Sequence, residues 1–451
     1  MENGLFIFRR DLRIVDNRGL AHLQSKCKNI YPIFIFTPEQ LTSANKFRSE
    51  NAVQFMFESL KDLEAQIGEN RLKFFYGDNT DIVEQCVKQL NIDMVCFNMD
   101  CTPYSVKRDE AIVKALAVPV EIGGDYYLNP FGSVKTGTGS IYKKFTPYYN
   151  AAVKRPVPAP LNKAPYNFRD SKIGGSLSLL LKKMKMQIGK ENTRVVAGGR
   201  ENGLKQLSQA KSEQNKYAST HNELETTTSQ LSAYIKFGCV SVREVYREMK
   251  GNTAFIRQLY WRDFYANIMH AYPEVLVGAM KPSYAALKWS PPSPKSFELW
   301  TKGQTGFPVV DAGMRELNAT GYMHNRARLI SASFLIKTLL INWQEGEKYF
   351  ATKLTDYDPA SNNLNWQWCA SSAVDSQPYF RIFNPWLQSK EYDPDAKYIK
   401  KWIPELADVL AKDIHTWFKS REKYPGTAYP EPIVSYEVQK EKALKMYKAI
   451  A

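Results

Sequence analysis

Tryptophan is missing from the first 260 residues, while all nine lie between Trp261 and Trp417. Two stretches so different in aromatic content predict two domains with different tasks. Cysteine is sparse and scattered (Cys27, Cys86, Cys96, Cys101, Cys239, Cys369), and four residues separate Cys96 from Cys101 with no histidine beside them. That spacing does not suit zinc and predicts free thiols in a reducing compartment. Five histidines without an HExxH or HxH arrangement predict no protein metal site. No apolar run is long enough to span a bilayer, and Leu5–Phe8 is too short for a signal peptide. The expected location is therefore intracellular, with cytoplasm and nucleus both open and no membrane partner. A GxGxxG fingerprint is also lacking, which excludes the usual dinucleotide-binding turn.

What is present begins with charge. The 451 residues carry 61 basic against 46 acidic side chains, a formal +15 that favours a polyanionic partner, nucleic acid first. Short apolar runs at Leu5–Phe8, Ile30–Phe36, Leu72–Tyr76, Met94–Phe97 and Val118–Ile122 alternate with helical patterns at Ala52–Ile67, Asp81–Leu90 and Ser105–Leu116. This alternation predicts an α/β fold, a doubly wound parallel sheet of Rossmann-like form, over residues 1–124. Residues 125–197 read as an inter-domain connector packed over the surface, because Arg155-Pro156-Val157-Pro158-Ala159-Pro160 can be neither helix nor central strand. Residues 198–451 read as an all-α domain, with helices at 309–318, 326–341, 343–354 and 435–449.

Several clusters carry chemistry. Arg9-Arg10-Asp11-Leu12-Arg13 and Asp16-Asn17 follow the first strand and, by themselves, read as solvated surface. Residues 226–232 (TTTSQLS) crowd hydroxyls at a helix start, which suits either a phosphate or an ordinary Ser/Thr cap. Asn252 caps a helix on which Gln258, Trp261, Arg262 and Tyr265 share a face. That stripe suits a flat heteroaromatic ring, or a core indole flanked by surface polar groups. Asp356, Asp358, Asn362 and Asn363 precede Trp366-Gln367-Trp368, and charged groups so near an apolar background need partners. Arg328 has Asp356 as its natural partner.

The motifs FRRDLRIVDN (8–17), TTTSQLS (226–232), LYWRDFY (259–265), TGFPVVDAGMREL (305–317), MHNRARLISASFLIK (323–337), NNLNWQW (362–368) and PYFRIFNP (378–385) occur in one order. Through them the chain resembles the photolyase/cryptochrome family over nearly its whole length, closest to class I cyclobutane pyrimidine dimer photolyases. The resemblance implies a non-covalent FAD in the helical domain, held by Tyr217, Thr228, Ser229, Leu231, Ser232, Arg262, Asn325, Arg328, Asp356, Asp358 and Asn362. It implies a flipped-out lesion held by Gln258, Trp261, Arg326, Trp368 and Arg381. It also implies an electron relay through Trp366, Trp343 and Trp289, the last placed by a one-residue insertion before Trp300. Asn362 and Gln258 join the relay as the catalytic set. The implied activity is light-dependent repair of cyclobutane dimers by electron transfer from reduced FAD, in a monomer acting on UV-damaged DNA. A cryptochrome-type photoreceptor and a (6-4) photolyase are the alternatives.

The chain departs from the family pattern at specific positions. Gln258 stands where dimer photolyases usually have Glu, and an amide still donates to and accepts from a pyrimidine edge. The two histidines that (6-4) enzymes need correspond to Asn325 and Leu329, so that chemistry lacks its acid. Leu329 also replaces a Met common in dimer photolyases. Tyr104 and Ser105 match the family's folate contacts poorly, so a second chromophore could be a deazaflavin, a flavin or absent.

Overall fold

The computed structural model describes residues 1–162, 164–183, 191–289 and 294–450. Part of the expected connector therefore lies outside the described residues. Contacts divide the chain into two compact units. The first comprises Met1–Asn215, Ser229–Pro273 and Asp356–Ala360, and the second Lys216–Thr228, Glu274–Thr355 and Ser361–Ala451.

The first unit is built on five parallel strands: β1 (Asn3–Phe8), β2 (Asn29–Phe36), β3 (Lys73–Tyr76), β4 (Met94–Asn98) and β5 (Val120–Gly123). Their order is β3-β2-β1-β4-β5. All five expected strands are present, and the sheet is doubly wound. Alternation along the strands sorts residue types by face. Leu5, Ile7, Ile33, Ile35, Val95 and Phe97 meet Ile82, Val83, Cys86 and Ile112 from the helices Asn79–Leu90 and Pro103–Ala115. The opposite face is aromatic: Phe6 packs on Phe8, Phe34 on Phe36, and Phe36 on Phe57 of the helix Glu50–Ile67.

The strand order reverses between β1 and β4, the place where open α/β sheets leave a crevice at their carboxyl ends. Here the sequence reading is corrected. The loop after β1 is not solvated surface, since Asp11, Arg13, Asp16 and Asn17 are all buried. The reason is mutual neutralisation, which burial of charge requires. Asn98 Nδ2 donates to Asp11 Oδ2 at 2.6 Å and to Asn17 Oδ1 at 3.0 Å. Arg243 Nε donates to Asp16 Oδ2 at 2.9 Å, and its Nη2 to Asp125 Oδ1 at 2.7 Å. Arg13 donates to the other oxygen of Asp125. The helix Val242–Glu248 is thereby tied to the strand end, which explains why contacts group it with the sheet.

The connector is likewise part of this unit. The amide of Ile30 donates to Asn167 O and that of Arg169 to Ile30 O, so the chain runs beside β2, and Gly175 bridges Phe74. Buried Asp263, in the helix Thr253–Ala271, accepts the amides of Leu128 (3.3 Å) and Asn129 (2.9 Å).

Helices are the regular elements of the second unit among its described residues, with no strand. Its principal helices are Pro294–Lys302, Pro308–Thr320, Asn325–Lys337, Trp343–Lys353, the bulk of Pro359–Cys369, and Tyr436–Lys448. Gly313 lets Pro308–Thr320 approach Asn325–Lys337, since a Cβ there would stand 3.2 Å from both Ala327 Cβ and Ser331 Oγ. Trp300, fully buried, donates its indole N–H to Ser331 O at 3.2 Å. Trp366 and Trp368 lie on a helix, so their two-residue spacing sends them to different surroundings.

Candidate functional site

The first unit holds Ser229, Leu231, Ser232, Gln258, Trp261, Arg262, Asp356 and Asp358 of the expected set. Asn252 caps the helix Thr253–Ala271 by accepting the Phe255 amide at 3.1 Å, as the sequence predicted. Arg262 donates one Nη to the carbonyl of Tyr126 and lies over the ring of Tyr127, 4.3 Å from its centroid. Its other terminal nitrogen is buried with no hydrogen-bond partner among the described residues. A donor left unused in this way fits an anionic or carbonyl ligand atom. Trp261 stacks flat on Phe145, with centroids 3.5 Å apart and planes at 8°. Phe145 escaped the sequence reading because it sits in the connector, where no periodicity marks it. Gln258 is exposed, and its amide donates to Ala254 O at 3.3 Å.

Asp358 is not free to serve a ligand alone. It accepts Arg10 Nη2 at 2.7 Å, while Arg10 Nη1 forms a bidentate pair with Asp100 at 2.9 and 2.8 Å. Arg10 thus orients Asp358, a role hidden by reading its loop as surface. The TTTSQLS segment is also revised. Its helix begins only at Ser232, its N-cap is Leu231, and no hydroxyl caps it. Residues 226–231 form a loop with Gln230 in the left-handed region (φ 47°).

The second unit holds Tyr217, Thr228, Asn325, Arg326, Arg328, Asn362, Trp366, Trp368, Trp343, Trp289 and Arg381. Thr228 Oγ1 is 2.8 Å from the hydroxyl of Tyr322. Arg328 donates Nε to Met323 O at 2.8 Å. Arg326 donates to Asn222 Oδ1 at 2.7 Å and lies over Tyr392. Tyr217 is stacked on His221 and raised by burial to about 12, so its phenol stays neutral. Asn325 and Arg381 are exposed.

Asn362 has the most informative geometry. Its Nδ2 donates to Glu347 Oε1 at 2.9 Å and to Glu347 O at 3.2 Å, which turns its carbonyl oxygen the other way. Glu347 is buried and stands four residues after Trp343, on the same helix face. That inward-facing carboxylate was the available signal for it. Trp366 is 3% exposed and packs edge-on against Phe350 at 4.9 Å and Trp300 at 6.3 Å. Trp343 is buried as well, while Trp289 is partly exposed beside Tyr447 at 6.4 Å.

A cavity of about 340 Å³ opens at the carboxyl ends of β2 and β3. Its lining includes Thr37, Glu39, Asp78, Tyr104, Lys107 and Arg108. Of the two residues matched to folate contacts, Tyr104 lines this cavity, whereas buried Ser105 hydrogen-bonds Thr102 Oγ1 through its amide.

Residues 5–164 match the family model for DNA photolyase, and residues 255–449 match that for the FAD binding domain of DNA photolyase. The chain is 33% identical to the deoxyribodipyrimidine photo-lyase of Buchnera aphidicola, over 99% of this chain and 98% of that protein.

The chain belongs to the DNA photolyase family.

It is an enzyme of that family, with FAD as its cofactor. Among solved photolyases it resembles the archaeal one from Sulfolobus tokodaii, described with two FAD molecules (TM-score 0.90, 38% identity, 99% of this chain and 100% of that). It also resembles the class III photolyase of Agrobacterium tumefaciens (TM-score 0.91, 30% identity, 100% and 98%). The unused Arg262 donor fits such a cofactor.

Proposed function

We propose that this photolyase uses light to split cyclobutane pyrimidine dimers in UV-damaged DNA, with reduced FAD as electron donor to a flipped-out dimer. The observation that carries the reading is the helix Pro359–Cys369, which gives three polar or aromatic groups three environments. Asn362 is anchored through its NH₂ by Glu347, so its carbonyl oxygen is the acceptor it offers a ligand. Trp366 is locked in a dry aromatic cluster suited to passing charge, and Trp368 is partly exposed and suited to stacking on a base.

FAD, when bound, supplies the light absorption and the electron that opens the cyclobutane ring. The protein supplies orientation and exclusion of water. Enzymes that work on a base inside a duplex extrude it, photolyases among them. Trp261, backed by Phe145, and Trp368 serve as stacking platforms, each contributing about 1–3 kcal/mol per base. Gln258 and Arg381 are exposed donors for the lesion, and the surplus of basic side chains holds phosphates without reading sequence. Trp366, Trp343 and Trp289 form the route by which the flavin is reduced before repair.

The cavity beside Tyr104 is the site proposed for a second chromophore, and its volume falls in the range of about 300–1,000 Å³ usual for small-molecule pockets. A flavin is the favoured occupant, because the Sulfolobus photolyase is described with two FAD molecules and Lys107 and Arg108 offer charge for a phosphate.

The test uses two oligonucleotides, one with a cyclobutane dimer and one with a (6-4) product, each incubated with protein in blue light and in darkness. Restoration of the dimer in light only is expected, with the (6-4) product untouched. No repair of the dimer under light would overturn the proposal and favour a photoreceptor.

A further inference from the structure

Lys337, the last residue of the helix Asn325–Lys337, is fully buried, and among the described residues it has no ion-pair partner. Its ammonium instead donates to three neutral oxygens: Ser371 Oγ at 3.2 Å, Tyr379 O at 3.2 Å and Arg381 O at 3.0 Å. An ammonium has three donors, and all three are used. Burial pushes Lys337 down to about 8, so it keeps its charge at neutral pH, where charge-assisted bonds to carbonyls are strong.

The two carbonyls it holds flank Phe380, at the tip of a turn closed by the Arg381 amide on Pro378 O (3.0 Å). Phe380 is 65% exposed, and Arg381 is exposed beside it. Within the turn Tyr379 lies parallel to Tyr447, with centroids 6.2 Å apart, while Phe380 packs edge-on against Tyr379 at 5.6 Å. Neighbouring bonds fix the base of the loop: Lys281 Nζ donates to Ser371 O (3.1 Å) and Ser376 Oγ (3.0 Å), and Tyr447 OH to Ala370 O (3.1 Å). Of these hydrogen bonds, those of Lys337 reach the carbonyls on either side of Phe380.

We infer that Lys337 is a positioning residue for lesion recognition: from inside the helical unit it holds the Pro378–Arg381 turn so that Phe380 and Arg381 are presented ready to engage damaged DNA. This deepens the proposed repair function and rests on it. Preorganising two side chains spares the ordering cost they would otherwise incur on binding.

The experiment compares the flavin-loaded, pre-reduced wild type with Lys337→Met, Arg381→Ala and the double variant. Lys337→Met raises KM for dimer-containing DNA by about tenfold, the scale for reordering two side chains on binding, while kcat at saturating DNA and affinity for undamaged DNA hold. In the Arg381→Ala background the same change has much less effect. Ser371→Ala, which removes one acceptor, produces a smaller shift in the same direction and serves if Lys337→Met does not fold. Equal losses in kcat and KM, additive effects in the double variant, or no shift in Ser371→Ala with a misfolded Lys337→Met would each overturn the inference. Absence of repair by the wild type would remove the proposed function and this inference together, whereas a repairing wild type with an unaffected Lys337→Met would remove only the inference.

Discussion

Replacing Arg243 by Met removes the buried guanidinium shared by two buried aspartates. Arg243 makes four hydrogen bonds: Nε to Asp16 Oδ2 (2.9 Å), Nη1 to Asp125 O (2.8 Å), and Nη2 to Asp16 O (2.9 Å) and Asp125 Oδ1 (2.7 Å). Asp125 would keep Arg13 and the Arg18 amide. The Asp16 carboxylate would keep only the Ser241 hydroxyl and the Leu161 amide, with no solvent exposure to compensate. Removing one partner of a buried ion pair costs about 3–5 kcal/mol. At roughly 2 °C per kcal/mol for a unit of this size, the unfolding midpoint falls by about 6–10 °C. Acid should shrink the difference. Burial works to raise Asp125, but the guanidinium groups of Arg13 and Arg243 outweigh it and hold the carboxyl below its ordinary value. A depressed carboxylate stabilises the fold above its unfolded pKa of about 3.9, and that contribution is lost as pH falls through the lower folded value. Denaturant or thermal unfolding of both proteins at neutral pH and near pH 3 is the assay. A loss below about 1 kcal/mol at neutral pH, in the range of a surface ion pair, would refute the reasoning.

Trp343→Phe should slow photoreduction of the flavin, followed by absorption, but spare repair when the flavin is reduced beforehand; equal loss of both would contradict the relay. Trp368→Ala should weaken dimer-containing DNA more than undamaged DNA in a binding titration, by about 1–3 kcal/mol for one lost stack. A uniform loss would remove its assignment to the lesion. Gly123→Ala should destabilise the first unit by about 1–3 kcal/mol, as overpacking does, because the new Cβ would overlap Asn98 Oδ1 and crowd Gly19. An unchanged midpoint would show that Asn98 can move without loss.

Much of the candidate site was legible because its residues sit in compact motifs. Gln258, Trp261 and Arg262 fall on one helix, where three- and four-residue spacing groups them, whereas Asn362, Trp366 and Trp368 were grouped by the motif that carries the resemblance and prove to share a short helix. The groups that orient them were not legible in the same way. Arg10 and Asp358 are 348 positions apart, and Phe145 reaches Trp261 from a segment with no pattern. Glu347 and Lys337 drew no reading from the sequence, and only their burial gives them Asn362 and the Pro378–Arg381 turn as partners.

By itself the sequence determined the succession of the five strands and the helices between them in the first unit, and which clusters carry aromatic and charged chemistry. Hydrophobic periodicity is a local property and survives in one dimension. Tertiary structure alone decided the fate of the charges. Arg9-Arg10-Asp11-Leu12-Arg13 would be solvated as an isolated loop, yet in the folded first unit its Asp11 and Arg13 are sealed from water. Burying a charge is tolerable only when an opposite charge or a set of donors arrives from elsewhere. Those partners, Asn98 for Asp11 and Asp125 for Arg13, come from positions that no local pattern connects.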